Sequence, residues 1–433
     1  MKKIVAIILL FASVKASSQE TVYPAKAQTE TITIINATIH VGNGTVLTNG
    51  FVTFENGKIK AVGQNTAPAS GKRIDAKGKH VYPGLILSAS QLGLVEISSV
   101  RATIDQSELG LYNPNIRSIV AYNSDSKVIA TLRSNGILLA NVVPQGATIS
   151  GSSSVVQLDA WNWEDAAYKA DGQIHMNMPS LLARPGGRRF GAAAETRSAA
   201  DIIKEALDNI EEIKAFFREA QVYHKEATHA KTNLKFEATK GLFEKKQKLF
   251  VHCEIVKEML VAVDFSKEFG FDIVIVGGSE SWQIADLLKQ NNVAVILAER
   301  HALPTSPDDD VDLPYKSATF LQDAGVLFAI NDTDGSTRGR NLPFNAGTAA
   351  AYGITKEQAL AAITLNAAKI LGIDNITGSI EVGKDANIVI SEGDILDMKS
   401  SVVTEAFIQG RRVSLEDKHK QLTERYNYKY GLK

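Results

Sequence analysis

The chain has 433 residues, 44% of them hydrophobic and 22% charged, with 47 basic against 48 acidic side chains and a formal net charge of -1. A chain this apolar folds, and one this close to neutral carries no field to hold nucleic acid. Its one cysteine excludes an internal disulfide and a cysteine-based zinc module, so eight histidines are the material for metal or acid–base chemistry.

At the start, Lys2 and Lys3 precede an apolar run from Ile4 to Phe11, and Val14 and Ala16 stand three and one residues before a cleavage point. Charged, apolar and small-residue regions in this order read as a secretory signal over residues 1–18, cut near Ala16 to Gln19. The expectation is an exported protein, periplasmic or secreted. The run is shorter than the ~20 residues a bilayer span needs, and no later run is long enough.

Residues 28–82 then read as short strands. Ile32 to His40 alternates, and Phe51–Phe54 and Lys58–Val62 flank Asn56-Gly57, a pair suited to the positive φ angles of a type I′ hairpin turn. From 83 to 375 the texture changes. Apolar runs at Gly136–Val143, Leu249–Val251, Asp272–Val276, Val293–Leu297 and Val326–Ile330 alternate with helical stretches at Ala199–Tyr223, Glu254–Phe269, Ser281–Gln290 and Lys356–Leu371. Strands alternating with helices predict a parallel sheet covered on both faces, and this length suits an eight-stranded barrel with insertions. Strands return over 376–415, and the tail, 416–433, contains Tyr426-Asn427-Tyr428-Lys429-Tyr430, which alternates like an edge strand although frayed termini are the default. The predicted fold is α/β: a (β/α)8 TIM-like barrel inserted into a small β-sandwich domain formed by both chain ends.

Three local signatures at this spacing give the chain a resemblance. Val81-Tyr82-Pro83-Gly84-Leu85-Ile86 reads as entry into barrel strand 1, Thr364-Leu365-Asn366-Ala367-Ala368-Lys369-Ile370-Leu371-Gly372 as the helix before the exit, and Gly378 to Val389 as the return to the β domain. In these the chain resembles the amidohydrolase superfamily, in particular its secreted imidazolonepropionase-like branch. The resemblance implies hydrolysis of C–N bonds other than peptide bonds, in cyclic amides or imidazolones, with zinc or another divalent metal lowering the pKa of a bound water. It also implies the ligand set: a His-x-His pair on strand 1, one His on each of two later strands and an Asp on the last. Residues i and i+2 of a strand share a face, so such a pair points into the barrel mouth together.

The chain departs from this pattern. The His-x-His positions are Ala89 and Gln91, and the Asp usual just before them is Leu87. His252 in Phe250-Val251-His252-Cys253-Glu254 matches a later-strand ligand, and alternation points Glu254 into the mouth beside it while Cys253 faces the helices as a packing residue. The next His position reads Gly277. The last-strand aspartate falls in Asn331-Asp332-Thr333-Asp334: counting back from Asn341 favours Asp334, and counting forward from Val326 favours a position nearer Asp332. His252 and Asp334 are thus the candidate metal ligands, Asp334 and Glu254 the candidate catalytic carboxylates, with Glu280 and His301 as recruits from nearby loops. His40 and His80 are assigned to the β domain, and His175, His224 and His229 to a long insertion.

Other features weigh toward plain structure. Asp308-Asp309-Asp310 lacks the spacing of a calcium loop, and Arg188-Arg189 opens the segment before a long helix, whereas Gln145 to Ser154 reads as a small-residue loop at the active face of the barrel, with backbone contact to a ligand and plain turn chemistry left as equal alternatives. The expected partner is a small-molecule substrate or ligand, with no nucleic acid and no membrane span. With most metal ligands missing, catalysis is expected to be impaired or altered. The alternatives are a catalytically silent homologue, paired with itself or with an intact paralogous amidohydrolase, and a periplasmic ligand-binding protein.

Overall fold

The computed structural model describes residues 23–68, 71–182, 198–304, 308–332 and 337–432. The expected leader, Arg188-Arg189 and Asp334 lie outside them. Among the described residues the strands form two sheets. In the first, β1 (Ile32–His40), β2 (Val46–Glu55), β3 (Lys58–Gln64), β4 (Lys72–Asp75) and β5 (His80–Pro83) join β14 (Ile388–Ser391), β15 (Val403–Ile408) and β16 (Arg411–Arg412) from the other end of the chain. The β2–β3 turn holds Asn56 at φ 50° and Gly57 at φ 78°, as a type I′ turn requires. Asn36, at φ 55°, bulges β1, whose first half pairs with β4 and whose second half pairs with β5. The sheet thereby encloses a core of Ile34, Ile39, Val52, Phe54, Ile388 and Phe407. Phe54 and Phe407, from opposite ends of the chain, meet edge-on at 5.1 Å.

The second sheet is an eight-stranded, nearly closed barrel in chain order: β6 (Leu85–Ser90), β7 (Ile137–Val142), β8 (Ile149–Gln157), β9 (Ala167–Asn177), β10 (Lys248–Cys253), β11 (Ile273–Gly277), β12 (Ala294–Leu297) and β13 (Phe328–Ile330). The chain leaves the first sheet through β5 and re-enters through β14, which lies antiparallel beside it with Ile388 opposite Pro83. This is the barrel and two-ended β layer that the sequence predicts. One strand departs from the repeat: β8 runs antiparallel to both β7 and β9. It includes Ile149 to Ser154, expected as loop. Its small side chains are buried on both faces, so it has no amphipathic alternation to betray it.

Helices cover the barrel: α1 (Lys127–Ser134), α2 (Ala199–Lys225), α3 (Leu234–Phe243), α4 (Val256–Phe269), α5 (Ala285–Gln290), α6 (Leu313–Asp323) and α7 (Leu342–Ala351). The helix expected over Lys356–Leu371 is two, α8 (Lys356–Ala362) and α9 (Leu365–Leu371). The break frees the Ile363 carbonyl to accept the Ile86 N–H at 2.9 Å, at the seam between β6 and β13. Asn331, just past β13, closes the same seam: its Oδ1 accepts from the Ala89 N–H at 3.0 Å and its Nδ2 donates to the Ala89 carbonyl at 2.8 Å. The tail is helix α10 (Lys418–Tyr430), capped by Asp417, rather than an edge strand. Its tyrosines also recur at i, i+4, and Tyr426 and Tyr430 stack at 6.3 Å. Among the described residues no helix is long and apolar enough to cross a membrane.

Candidate functional site

Alternation along the strands lines the barrel. Ile86, Leu139, Val155, Phe250, Val274, Val276, Ile296 and Ala329 form one buried cluster inside it, while the intervening Leu85, Leu138, Val156, Val251, Ile275, Val295 and Ile330 join the helices outside. On β9 the outward residues are Ile174 and Met176, so Gln173, His175 and Asn177 point inward. That parity corrects the assignment of His175 to an insertion. It is a fully buried barrel residue opposite Phe250, two register positions from His252, which faces Asn177.

His252 sits at the mouth end of β10, half-buried, and pairs with His175 at 2.8 Å, Nε2 to Nδ1. His175 Nε2 lies 2.8 Å from Ser153 Oγ, which donates to Gln173 Oε1 at 2.8 Å, while Gln173 Nε2 donates to the Leu371 carbonyl at 3.2 Å. A backbone carbonyl only accepts, so this line of bonds fixes every proton in it. Gln173 turns its oxygen to Ser153, Ser153 spends its one proton there, and neutral His175 carries its proton on Nε2. His175 Nδ1 is then an acceptor, His252 donates from Nε2, and neutral His252 keeps Nδ1 bare. Burial depresses both imidazoles, His252 to about 4 and His175 well below the usual histidine value, with His252 adding to the effect on His175. Both are therefore neutral at pH 7.

Glu254 follows β10 directly and is solvent-accessible. Its Oε2 accepts from the Ser279 N–H at 3.1 Å, and its carbonyl accepts from the Glu280 N–H at 3.0 Å. Its carboxylate occupies the space beside Gly277, where a Cβ would come 2.2 Å from Glu254 Oε1, and Gly277 holds φ at +99°. Glycine at 277 is thus demanded by the backbone angle, while the nearest atoms in its way are the far end of the exposed Glu254 side chain. Burial raises the Glu254 carboxyl above its ordinary pKa, against the Ser279 hydrogen bonds and the charge of buried Arg300, which favour the carboxylate.

At the other expected ligand positions, Ala89 is buried and held through its backbone by Asn331, and Gln91 is half-buried. Asp332 is on the outward parity of β13, where Asn345 Nδ2 donates to it at 3.2 Å and Arg338 Nε approaches at 3.5 Å. Asn331 takes the inward position instead. The suggested recruits are engaged: Glu280 Oε2 accepts from the Val256 N–H at the start of α4, and His301 Nε2 bonds to Thr348 Oγ1 of α7 at 2.7 Å. Cys253 is buried in the outer cluster, as expected of a packing residue, and burial raises its thiol pKa. Among the described residues no three His, Cys, Asp or Glu side chains gather as metal ligands. Two further polar atoms in the barrel, Ser88 Oγ and Asn141 Oδ1, are buried without a protein partner, although Asn141 Nδ2 donates to the Ser88 carbonyl at 3.1 Å. Such adjacent orphans are sites for water or for a polar ligand atom.

His175 was missed because Gln173-Ile174-His175-Met176-Asn177 stands far from any family signature. Its polar–apolar alternation was nevertheless a legible strand signal, with polar residues on one face.

Comparison with known proteins agrees with the fold. The model of the amidohydrolase family matches residues 211–413. The crystal structure of an amidohydrolase from Thermotoga maritima is similar over 88% of this chain and 99% of that one, with a TM-score of 0.72 and 26% identity. An amidohydrolase named tasK from Hapsidospora irregularis is 21% identical over 394 residues, which are 82% of this chain and 39% of that protein. An imidazolonepropionase from Thermoplasma volcanium is 40% identical over 86 residues, 19% of this chain and 21% of that one. The match thus spans less than two thirds of either of these last two relatives. The family match and the structural likeness over most of the chain together support membership of the amidohydrolase superfamily.

Proposed function

We propose that this chain is an amidohydrolase-like protein descended from hydrolases of non-peptide C–N bonds, whose barrel mouth binds a small cyclic amide or imidazolone-type molecule with metal-dependent hydrolysis lost or strongly reduced. One observation carries the reading: the Glu254 carboxylate fills the space a side chain at position 277 would need. The residues present do not fit the metal of the relatives. Ala89 and Gly277 bring no donor atom, Gln91 brings only an amide, and His252 turns Nε2 to His175. Zinc generally takes three protein ligands of firmer kind.

What remains suits hydrogen bonding. The bare Nδ1 of His252 accepts an amide N–H, and the Glu254 carboxylate accepts a second. Asp334, outside the described residues, stays in the proposal as a candidate carboxylate on the strength of the sequence alone. The apolar loop residues Leu109 and Leu303, 88% and 85% exposed, favour a second reading, in which the chain pairs with an intact relative or with itself. The Lys2-Lys3 and Ile4–Phe11 pattern supports export.

Metal analysis of the purified mature chain after zinc loading, with a panel of cyclic amides and imidazolones, tests the proposal. The expected result is far less than one equivalent of zinc, saturable ligand binding and no turnover above background. Stoichiometric zinc that disappears in His252→Ala, together with turnover, overturns it.

A further inference from the structure

A cavity of about 740 Å³ lies away from the mouth, walled by Tyr23, the start of α1, the residues after β8 and the start of α10. Neither His252 nor Glu254 lines it. Because β8 runs against its neighbours, Leu158 follows it at the barrel end opposite the one where β10 delivers His252.

Inside this wall Arg133 is only 6% exposed. Its Nε donates to the Ser414 carbonyl at 2.8 Å, and its Nη1 donates to the Leu158 carbonyl at 2.8 Å and to Asp159 Oδ1 at 2.9 Å. Nη2 has no acceptor among the described residues. Asp159 is shared, since its Oδ2 also takes Arg411 Nη1 at 3.1 Å and the Ala25 N–H at 2.8 Å. Two guanidiniums therefore lean on one carboxylate, and Asp159 has no oxygen to spare for Arg133 Nη2. The nearby Asp417 is committed to Ser134 and to the N–H groups of His419 and Lys420. Asp125 and Glu416 are exposed, as are Lys127 and Lys418 of the same wall. The remaining surface is aromatic: Trp161 is 64% exposed and Tyr23 is 72% exposed, with ring centroids 5.9 Å apart. Two large rings left open to water beside a cavity are costly unless something covers them.

We propose that this cavity is a second ligand site, for a small aryl carboxylate. The carboxylate pairs with the Nη2 edge of Arg133, and the ring lies against Trp161 and Tyr23. The site does not depend on the chemistry of the mouth.

The test titrates the full mature chain with phenylacetate and, separately, with phenylacetamide, its neutral counterpart, by calorimetry and tryptophan fluorescence. The carboxylate is expected to bind at least about tenfold more tightly than the amide, as a charge-assisted bond to a buried guanidinium provides. Trp161→Ala, an exposed position whose loss leaves the fold intact, is expected to weaken phenylacetate by about tenfold, the size of one stacked-ring contact. Glu254→Gln at the mouth is expected to leave it unchanged. Arg133→Gln should abolish the preference for the carboxylate, but because Arg133 is buried the amide comparison and Trp161→Ala decide the matter without it. No saturable phenylacetate binding at millimolar concentrations, equal binding of acid and amide, or binding indifferent to Trp161→Ala overturns the proposal.

Discussion

At Gly277 the backbone holds φ at +99°, and the space beside Cα belongs to the Glu254 carboxylate. Placing there the histidine that the family resemblance implies meets the strained backbone angle and the Glu254 side chain. Gly277→His is expected to lower stability by roughly 3 kcal/mol, summing backbone strain and overpacking, read as a fall in the urea midpoint at unchanged m. Adding Glu254→Ala should recover the steric part and leave the strain. If Gly277→His alone is neutral, Glu254 moves aside freely and the mouth is less committed than proposed. The His175–His252 pair makes a second claim at this scale. Both folded-state values lie below the ordinary 6.5, so the unfolded chain binds protons first as pH falls. The stability these neutral imidazoles contribute is complete above pH 6.5 and is lost as pH falls toward 4. For His252 alone the loss between pH 7 and 5 is roughly 2 kcal/mol. Denaturation of chelator-treated protein at the two pH values checks it, and His252→Gln should flatten the slope.

Among the elements, the seam of the barrel is the informative one. β6 and β13 do not pair in the sheet order, and Asn331 and Ile363 supply the missing bonds. Asn331→Leu keeps the volume but leaves the N–H and carbonyl of buried Ala89 without partners. Each stranded group costs about 1–3 kcal/mol, so a loss of at least 2 kcal/mol and faster exchange of the Ala89 amide are expected. Unchanged exchange would show that the seam closes some other way. Most of the barrel was legible from the sequence because inner and outer strand faces are both apolar and the intervening helices are amphipathic. β8 was not, because Ser152-Ser153-Ser154 in a strand looks like turn chemistry until Gln173, His175 and Asp171 are seen to take up the hydroxyls of that stretch. The tail failed for another reason: a spacing of two between tyrosines is also a spacing of four, and periodicity over five residues cannot choose.

For the whole molecule, the two chain ends are one unit. β14 is an inner strand, flanked by β5 and β15, and Ile388, Ile390 and Phe407 fill the core that β1 and β2 begin. Removing residues 376–433 is therefore expected to abolish cooperative folding, judged by circular dichroism and limited proteolysis. Removing only 419–433 takes away a helix with no buried residue and should shift Tm by no more than about 2 °C. A large shift would mean that α10 covers surface the fold depends on.

The sequence by itself determined the barrel, the two-ended β layer and the absence of imidazoles at positions 89, 91 and 277, because strand parity and family signatures are local and travel with the chain. Only the tertiary structure decided that His175 meets His252, that Glu254 fills the room beside Gly277, and that Arg133, Asp159 and Arg411 converge under Trp161. Each of these contacts joins residues from separate strands, loops or chain ends. No local periodicity records such a meeting, since it depends on register across the sheet and on which side chain reaches the shared space.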